Sequence, residues 1–321
     1  MPGEKTILIT RKLPEAVLAR AAQDYNAIIN DDDHVMSAEE ILAKAEGADA
    51  ILCCISEKYD AELIARLPES VRVLSTFSVG TDHIDLEAAR ARGIRVCNTP
   101  DAVTISTAEI AMLLILAAAH RAHEGEALLR NRQWTGWEPT QLLGIRLHGK
   151  RLGILGLGQI GRAVAARARA FGMEIHYHNR NRVPEEEAAG AVYHESFDSL
   201  LAVSDVLSLH APSTPATRHI VNAEAIDKLP PRAILVNTAR GDLVVDDDVI
   251  AALKSGRLAA AGLDVYDGEP NIHEGYYGLE NAFLLPHMGT STVEARNEMG
   301  FAALDNIDAV LAGREPPYPV V

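Results

Sequence analysis

Apolar residues come in short runs along this chain, separated by stretches with helical periodicity. Lys5 to Thr10 (KTILIT) predicts a first buried strand, and Glu15 to Asp24 an amphipathic helix. Ala27 to Ile29 predicts a short strand. Ser37-Ala38-Glu39-Glu40 has the form of a capping box and opens a helix to about Ala45. Ala50 to Ile55 predicts a strand, Asp60 to Leu67 a helix ended by Pro68, and Val71 to Phe77 a strand running into Ser78-Val79-Gly80. Leu86 to Arg92 predicts a helix closed by Gly93, and Ile94 to Cys97 another strand. Strands that alternate with helices predict a parallel, doubly wound sheet.

The pattern changes after Pro100. Asp101 to Arg130 predicts one long helix or two abutting ones, and Asn131 to Gly149 a loop-rich segment holding Trp134 and Trp137. The alternation restarts at Arg151 and continues through Val203 to His210, Ala233 to Asn237, Ala259 to Val265 and Phe283 to Leu285. Val293 to Leu311 predicts a last helix. Two α/β units are therefore expected.

The second unit opens on RLGILGLGQIG, Arg151 to Gly161, in which Gly156, Gly158 and Gly161 fit G-x-G-x-x-G between an apolar strand and a helix-forming stretch. Gly156 allows the turn out of the strand, Gly158 lets backbone approach a pyrophosphate, and Gly161 lets helix pack on strand. The amides around Leu157, Gln159 and Ile160 would face the phosphates at the positive end of the helix dipole. A dinucleotide site is expected.

Composition narrows the classes. A formal net charge of −15 leaves no basic surface to neutralise phosphates, which argues against a nucleic-acid partner. The longest apolar run, Ile110 to Ala119, falls short of the roughly 20 residues that span a bilayer, so no membrane segment is expected. MPGEKTILIT does not have the form of a signal peptide. The three cysteines, Cys53, Cys54 and Cys97, show no metal-ligand spacing. Cys53 and Cys54 are expected to be buried in a strand. No metal and a cytoplasmic protein are expected.

Three apolar strands of the second unit run into polar loops, presenting Arg240, Glu269 and His287. In an open parallel sheet, ligands lie beyond the carboxyl ends of the strands, so these loops can meet at one crevice. Guanidinium, carboxylate and imidazole suffice to reduce a 2-oxo acid. The arginine holds the carboxylate, the histidine protonates the carbonyl oxygen, and the acid fixes the histidine's tautomer. Each residue also has a plain reading as a turn residue, a cap or a surface charge.

The chain resembles the D-isomer-specific 2-hydroxyacid dehydrogenase family, and within it the glyoxylate/hydroxypyruvate reductase branch. The resemblance lies in FSVGTDHIDL (Phe77 to Leu86), LHGKRLGILGLGQIGRAVAARARAFGM (Leu147 to Met173), LSLHAPST (Leu207 to Thr214), ILVNTARGDLVVDDDVI (Ile234 to Ile250), AGLDVYDGEP (Ala261 to Pro270) and LLPHMGTST (Leu284 to Thr292). It implies that Arg240 binds substrate, His287 is the general acid/base and Glu269 its partner. It implies that Val79 and Gly80 offer amides to the substrate carboxylate from the other domain, and that closure completes the site. Thr238, Ala239, Asp264 and Gly289 match positions near the nicotinamide. His210, Ala211, Pro212 and Thr217 match the adenosine and pyrophosphate side. The implied fold is a Rossmann cofactor domain (101–287) inserted in a flavodoxin-like substrate domain (1–100 and 288–321), both doubly wound parallel sheets. A homodimer is also implied, with the Trp134/Trp137 loop at its contact.

The end of the second strand of the Rossmann unit speaks to the cofactor. Where an NAD site normally carries an acid, Asn179 stands, with Arg180 and Arg182 just after it. This favours NADP(H), because a carboxylate repels a 2′-phosphate and arginines bind it; NAD(H) is the alternative. The expected activity is reduction of glyoxylate or hydroxypyruvate to the D-hydroxy acid. The competing readings are a corepressor-like nucleotide sensor on the same fold, and a dehydrogenase for a bulkier substrate. Pro286 before His287 argues against the formate-oxidising branch.

Overall fold

The computed structural model describes residues 5–321; Met1 to Glu4, the start of the segment read as no signal peptide, lie outside the described residues. In chain order the elements are β1 (Thr6–Ile9), α1 (Glu15–Asp24), β2 (Asn26–Ile29), α2 (Ala38–Ala45), β3 (Ala50–Cys53), α3 (Ala61–Arg66), β4 (Val73–Thr76), α4 (Leu86–Ala91) and β5 (Arg95–Cys97). Then come α5 (Thr104–Ala119), α6 (Ala122–Arg130), β6 (Arg151–Leu155), α7 (Gln159–Ala170), β7 (Glu174–His178), α8 (Glu185–Ala188), β8 (Val192–Tyr193), α9 (Phe197–Leu201) and β9 (Val206–Leu209). The chain continues with α10 (Ala223–Lys228), β10 (Ala233–Asn237), α11 (Asp246–Ser255), β11 (Leu258–Leu263), β12 (Ala282–Leu284) and α12 (Val293–Leu311). Two compact units emerge, Met1–Val103 with Thr290–Val321, and Thr104–Gly289. Both breaks fall a few residues beyond the expected Pro100 and His287.

The first unit is a five-stranded sheet in the order β2-β1-β3-β4-β5, every pair parallel. Leu8, Ile51, Cys53, Leu74 and Val96 point to one face and pack with Ile41, Leu63, Ile64 and Ala89 of α2 to α4. Helices α1 and α12 serve the other face, where the Ser75 hydroxyl donates to the Ala303 carbonyl at 3.0 Å. They meet at Gly300, where a Cβ would come within 2.4 Å of Val17. Ser37 and Glu40 form the predicted capping box, with Glu40 N–H donating to Ser37 Oγ at 3.3 Å and Ser37 N–H to Glu40 Oε2 at 2.7 Å. One expectation fails in part. The strand of the Ala50 run stops at Cys53, Cys54 is only half-buried, and Ile55 is 51% exposed. The chain turns there because the Glu57 carboxylate takes the Cys54 amide at 3.1 Å.

The second unit is a seven-stranded, all-parallel sheet in the order β12-β11-β10-β9-β6-β7-β8. Strand β6 sits where the order reverses, the position at which doubly wound sheets open a crevice. Of the two readings of Asp101 to Arg130, the structure has the two abutting helices, α5 and α6, bent by 72° where Arg121 adopts a left-handed φ of 54°. Helix α5 packs on β11 because Gly262 brings no side chain to it; a Cβ there would meet Leu114 Cβ at 2.8 Å. Strand β8 and helices α8 to α11 were not predicted; all but α11 are short, and several are half-exposed, so their periodicity is faint. No single helix among the described residues is long and apolar enough to cross a bilayer.

Candidate active site

In the second unit β6 ends in the glycine turn. Gly156 adopts φ +98°, and a Cβ there would lie 2.8 Å from the His210 carbonyl and 2.7 Å from the Ala211 amide nitrogen. The turn thus lies flush against the His210-Ala211 backbone at the end of β9. A Cβ on Gly161 would strike the Gly156 carbonyl at 2.3 Å, so helix α7 can follow the turn this closely only without a side chain. At Gly158, by contrast, nothing of the protein lies within 4 Å of a Cβ position. Gly158 is also the N-cap of α7 and offers no side-chain cap. The opening amides of a helix have no acceptors within it, so this end suits a phosphate. The residues fit a dinucleotide.

Asn179 does more than its position implied. Its Oδ1 accepts the Leu157 amide at 2.6 Å, tying the end of β7 to the glycine turn and leaving the side-chain NH2 to point elsewhere. Arg180 and Arg182 are exposed, and among the described residues neither forms an ion pair; the Arg182 guanidinium stands 5.6 Å from the Tyr193 ring centre. The loop end therefore presents a neutral amide and two available cations.

His210 is held between Ser208 Oγ at 2.8 Å from its Nε2 and Thr238 Oγ1 at 3.4 Å from its Nδ1. Burial pushes its pKa down to about 4, so the ring is neutral at pH 7. The Thr217 hydroxyl donates to the Pro212 carbonyl at 2.7 Å and closes the loop that begins at Ala211.

The loops after β10, β11 and β12 converge as expected. His287 Nδ1 lies 2.7 Å from Glu269 Oε2, and Glu269 Oε1 accepts the Tyr266 amide at 2.8 Å. Burial pushes the Glu269 carboxyl up. The hydrogen bond and charge of His287, the Tyr266 amide and the Arg240 charge outweigh burial and hold it below the usual range. It is therefore an anion that can orient an imidazole. Among the described residues His287 Nε2 has no hydrogen-bond partner, and the side chain is 38% exposed. Gly241 lets the Arg240 loop approach; a Cβ there would come within 1.8 Å of the Tyr266 backbone carbon.

Asp264 anchors the histidine. Its Oδ1 accepts the Met288 amide at 2.6 Å and its Oδ2 the Gly289 amide at 2.7 Å, while its own carbonyl takes the His287 amide at 2.9 Å. These bonds hold His287 at φ +54°, a conformation a non-glycine residue keeps only when its surroundings impose it. Burial raises the Asp264 carboxyl even against those two amides.

Two residues were missed by sequence reasoning. The buried Asn237 accepts the Ala239 amide at 3.0 Å and donates to the Arg240 carbonyl at 2.8 Å, so it shapes the turn that carries Arg240. The Tyr266 hydroxyl lies 3.0 Å from the carbonyls of both Leu263 and Leu285 and ties two of the converging loops. An Asn closing a strand before a polar loop is the only signal for the first.

In the first unit, Val79 and Gly80 follow β4. Their carbonyls turn into the protein, that of Val79 accepting Asn98 Nδ2 at 2.8 Å and that of Gly80 the Ser78 hydroxyl at 2.7 Å. Among the described residues their amides have no acceptor, as an anion site requires. Trp134 and Trp137, in the second unit, are 50% and 79% exposed. A separate cavity of about 540 Å³ in that unit involves Arg232 and Ala259, at the amino ends of β10 and β11, whereas the triad stands at the carboxyl ends.

A sequence model of the D-isomer specific 2-hydroxyacid dehydrogenase NAD-binding domain matches residues 112–289. The chain is 51% identical to a glycerate dehydrogenase of Hyphomicrobium methylovorum, over 98% of this chain and 99% of that protein. It is 40% identical to a glyoxylate reductase of Thermococcus litoralis, over 97% and 95% of the two chains. Among solved structures it is similar to an NADPH-dependent glyoxylate/hydroxypyruvate reductase of Sinorhizobium meliloti in complex with NADP and malonate. That likeness has a TM-score of 0.89 and 32% identity, covering 99% of this chain and 97% of the other.

Proposed function

The chain belongs to the D-isomer specific 2-hydroxyacid dehydrogenase family, and we propose that it reduces glyoxylate and hydroxypyruvate to D-2-hydroxy acids with NADPH, in the cytoplasm. The observation that carries this reading is the 2.7 Å contact between His287 and Glu269. With Nδ1 engaged by the carboxylate, Nε2 is the nitrogen that gives its proton to the carbonyl oxygen. Arg240 holds the substrate carboxylate and polarises the carbonyl, and the amides of Val79 and Gly80 take the carboxylate as well. Asp264 and Asn237 keep His287 and Arg240 in place. A bound nicotinamide supplies the hydride that reaches carbon 2.

The reading of NADPH rests on Asn179, Arg180 and Arg182. The Leu157 amide already occupies the Asn179 carbonyl, no acid stands at that position, and two exposed arginines are at hand. The related enzymes are named for glycerate, whose oxo form is hydroxypyruvate, and for glyoxylate, which carries a hydrogen where hydroxypyruvate carries a hydroxymethyl group. A steady-state panel of glyoxylate, hydroxypyruvate, pyruvate and phenylpyruvate with both cofactors tests the whole. The expected result is the highest kcat/KM for the first two, and NADPH preferred over NADH by about tenfold or more, the equivalent of about 1.4 kcal/mol. Equal use of the two cofactors removes the NADPH assignment, and phenylpyruvate as the best substrate removes the small-acid one.

The partner is a second copy of the chain. Ile105 and Leu113 are 57% and 45% exposed on the largely buried α5, and Leu129, Leu143, Trp134 and Trp137 add to the exposed apolar surface of the second unit. Analytical ultracentrifugation is expected to give a dimer; a monomer at micromolar concentration contradicts it.

A further inference from the structure

Arg180 and Arg182 share a loop but not a setting. Arg180 is exposed and, among the described residues, has no hydrogen-bond, ion-pair or ring partner, whereas the Arg182 guanidinium stands 5.6 Å from the centre of the Tyr193 ring. That distance is within the range of a cation–π contact. Three glutamates, Glu185 to Glu187, open α8 just beyond, and among the described residues none of them pairs with Arg182; Glu187 pairs with Arg162 instead. A ring engages a guanidinium through its face and leaves the N–H edge free, where a carboxylate would consume it. On Tyr193, Arg182 therefore keeps its donors.

The ring is itself fixed. Tyr193 ends β8, whose pairing with β7 sets it beside Tyr177, and the two rings lie 5.3 Å apart with their planes at 50°. Tyr177 is buried in the core of the second unit. The amide of the next residue, His194, donates to the Tyr177 carbonyl at 2.8 Å, and the His194 carbonyl lies 2.8 Å from His178 Nδ1. The His178 ring lies 6.5 Å from that of Tyr193, with planes 18° apart. Among the described residues the Tyr193 hydroxyl has no hydrogen-bond partner, so the ring offers Arg182 its face alone. Strand β7 ends at His178, one residue before Asn179, and Arg182 follows Asn179 by three residues. Platform and guanidinium thus belong to the strand end where the adenosine ribose of a dinucleotide lies. We propose that Tyr193 is a positioning residue for cofactor choice, its ring holding the Arg182 guanidinium in place, donors free, for the 2′-phosphate of NADPH. Arg180, without such a platform, gives up more side-chain freedom on binding and contributes less. The inference rests on the NADPH reading above and goes beyond it by assigning selectivity to a residue of β8, outside the strand end that carries Asn179, Arg180 and Arg182.

The test uses the full chain and two probes, 2′,5′-ADP and AMP, which differ only in the 2′-phosphate. Calorimetry on the wild type is expected to show 2′,5′-ADP bound about tenfold or more tightly than AMP, the range for hydrogen bonds from charged groups. Tyr193→Leu is expected to lower the affinity for 2′,5′-ADP by about three- to tenfold, the range of a cation–π contact, and that for AMP by less than about twofold. Tyr193→Phe keeps the ring face and is expected to keep the wild-type values. In an Arg182→Ala background Tyr193→Leu is expected to add nothing, because the ring acts only through the guanidinium. Tyr193→Met, which fills a similar space without a ring, carries the same expectation and takes over should the leucine variant not fold. In turnover, the ratio of kcat/KM with NADPH to that with NADH falls in the same proportion while kcat is kept. Equal losses on the two probes, a further loss in the Arg182→Ala background, or an unchanged affinity for 2′,5′-ADP in Tyr193→Leu overturn the proposal and leave Tyr193 as a packing residue of β8. A wild type that binds the two probes alike instead overturns the NADPH reading.

Discussion

The two parallel sheets differ in strand order, yet each has a switch point, and they treat it in opposite ways. In each, a strand sits where the order reverses, β1 in the first unit and β6 in the second. Beyond β6 the chain makes a glycine turn, and at Gly158 nothing of the protein fills the space a side chain would take. Beyond β1 the chain fills its own crevice. The Glu57 carboxylate, 2% exposed, accepts the Thr10 hydroxyl at 3.0 Å and the Cys54 amide at 3.1 Å, and its other oxygen accepts the Ser56 hydroxyl at 3.0 Å. One switch point is left open to phosphates; the other is closed by an internal anion that occupies the backbone and hydroxyl donors. The architecture supplies the crevice, and a few residues decide whether it binds a dinucleotide.

The largest effect should come from His287→Ala. The predicted loss in kcat is about 10²- to 10⁴-fold, with NADPH affinity within about threefold of wild type by fluorescence titration. A parallel collapse of cofactor binding would mean that His287 acts by holding the loop rather than by moving a proton.

The comparison of the switch points is broken by a pair of substitutions. Gly156→Ala puts a Cβ against the His210 carbonyl at a φ that disfavours side chains, and should destabilise the open crevice by about 1–3 kcal/mol while weakening NADPH at least severalfold. Glu57→Ala strips the acceptor from Thr10 and Cys54 and should cost about 1–3 kcal/mol of stability, read as a lower Tm, with NADPH affinity unchanged. If Glu57→Ala weakened NADPH as much as Gly156→Ala does, the division of labour between the two sheets would be wrong.

Much of this was legible in the sequence. Buried parallel strands announce themselves as apolar runs, so β1, β3, β6, β9 and β10 were found, and the glycine spacing located the cofactor turn. Arg240, Glu269 and His287 were legible because strand ends in a parallel sheet must converge. The chain could not reveal which side-chain atom meets which amide. Asp264 matched a position near the nicotinamide, yet both its oxygens serve the amides of Met288 and Gly289. Asn179 reads as a cofactor ligand but also locks Leu157. Glu57 looks like an ordinary charged residue in a sequence; only burial with its partners sets it apart. The turn after Cys53 went unread because Cys54 and Ile55 extend an apolar run whose fate is decided by that same Glu57.

The most direct test of the account is the oxidation of NADPH followed at its nicotinamide absorbance on addition of glyoxylate or hydroxypyruvate to the wild-type protein. The account predicts steady, substrate-dependent consumption of NADPH with formation of the D-hydroxy acid. Tight binding of NADPH without consumption, across both acids, would contradict it and would fit a nucleotide-sensing protein on the same fold.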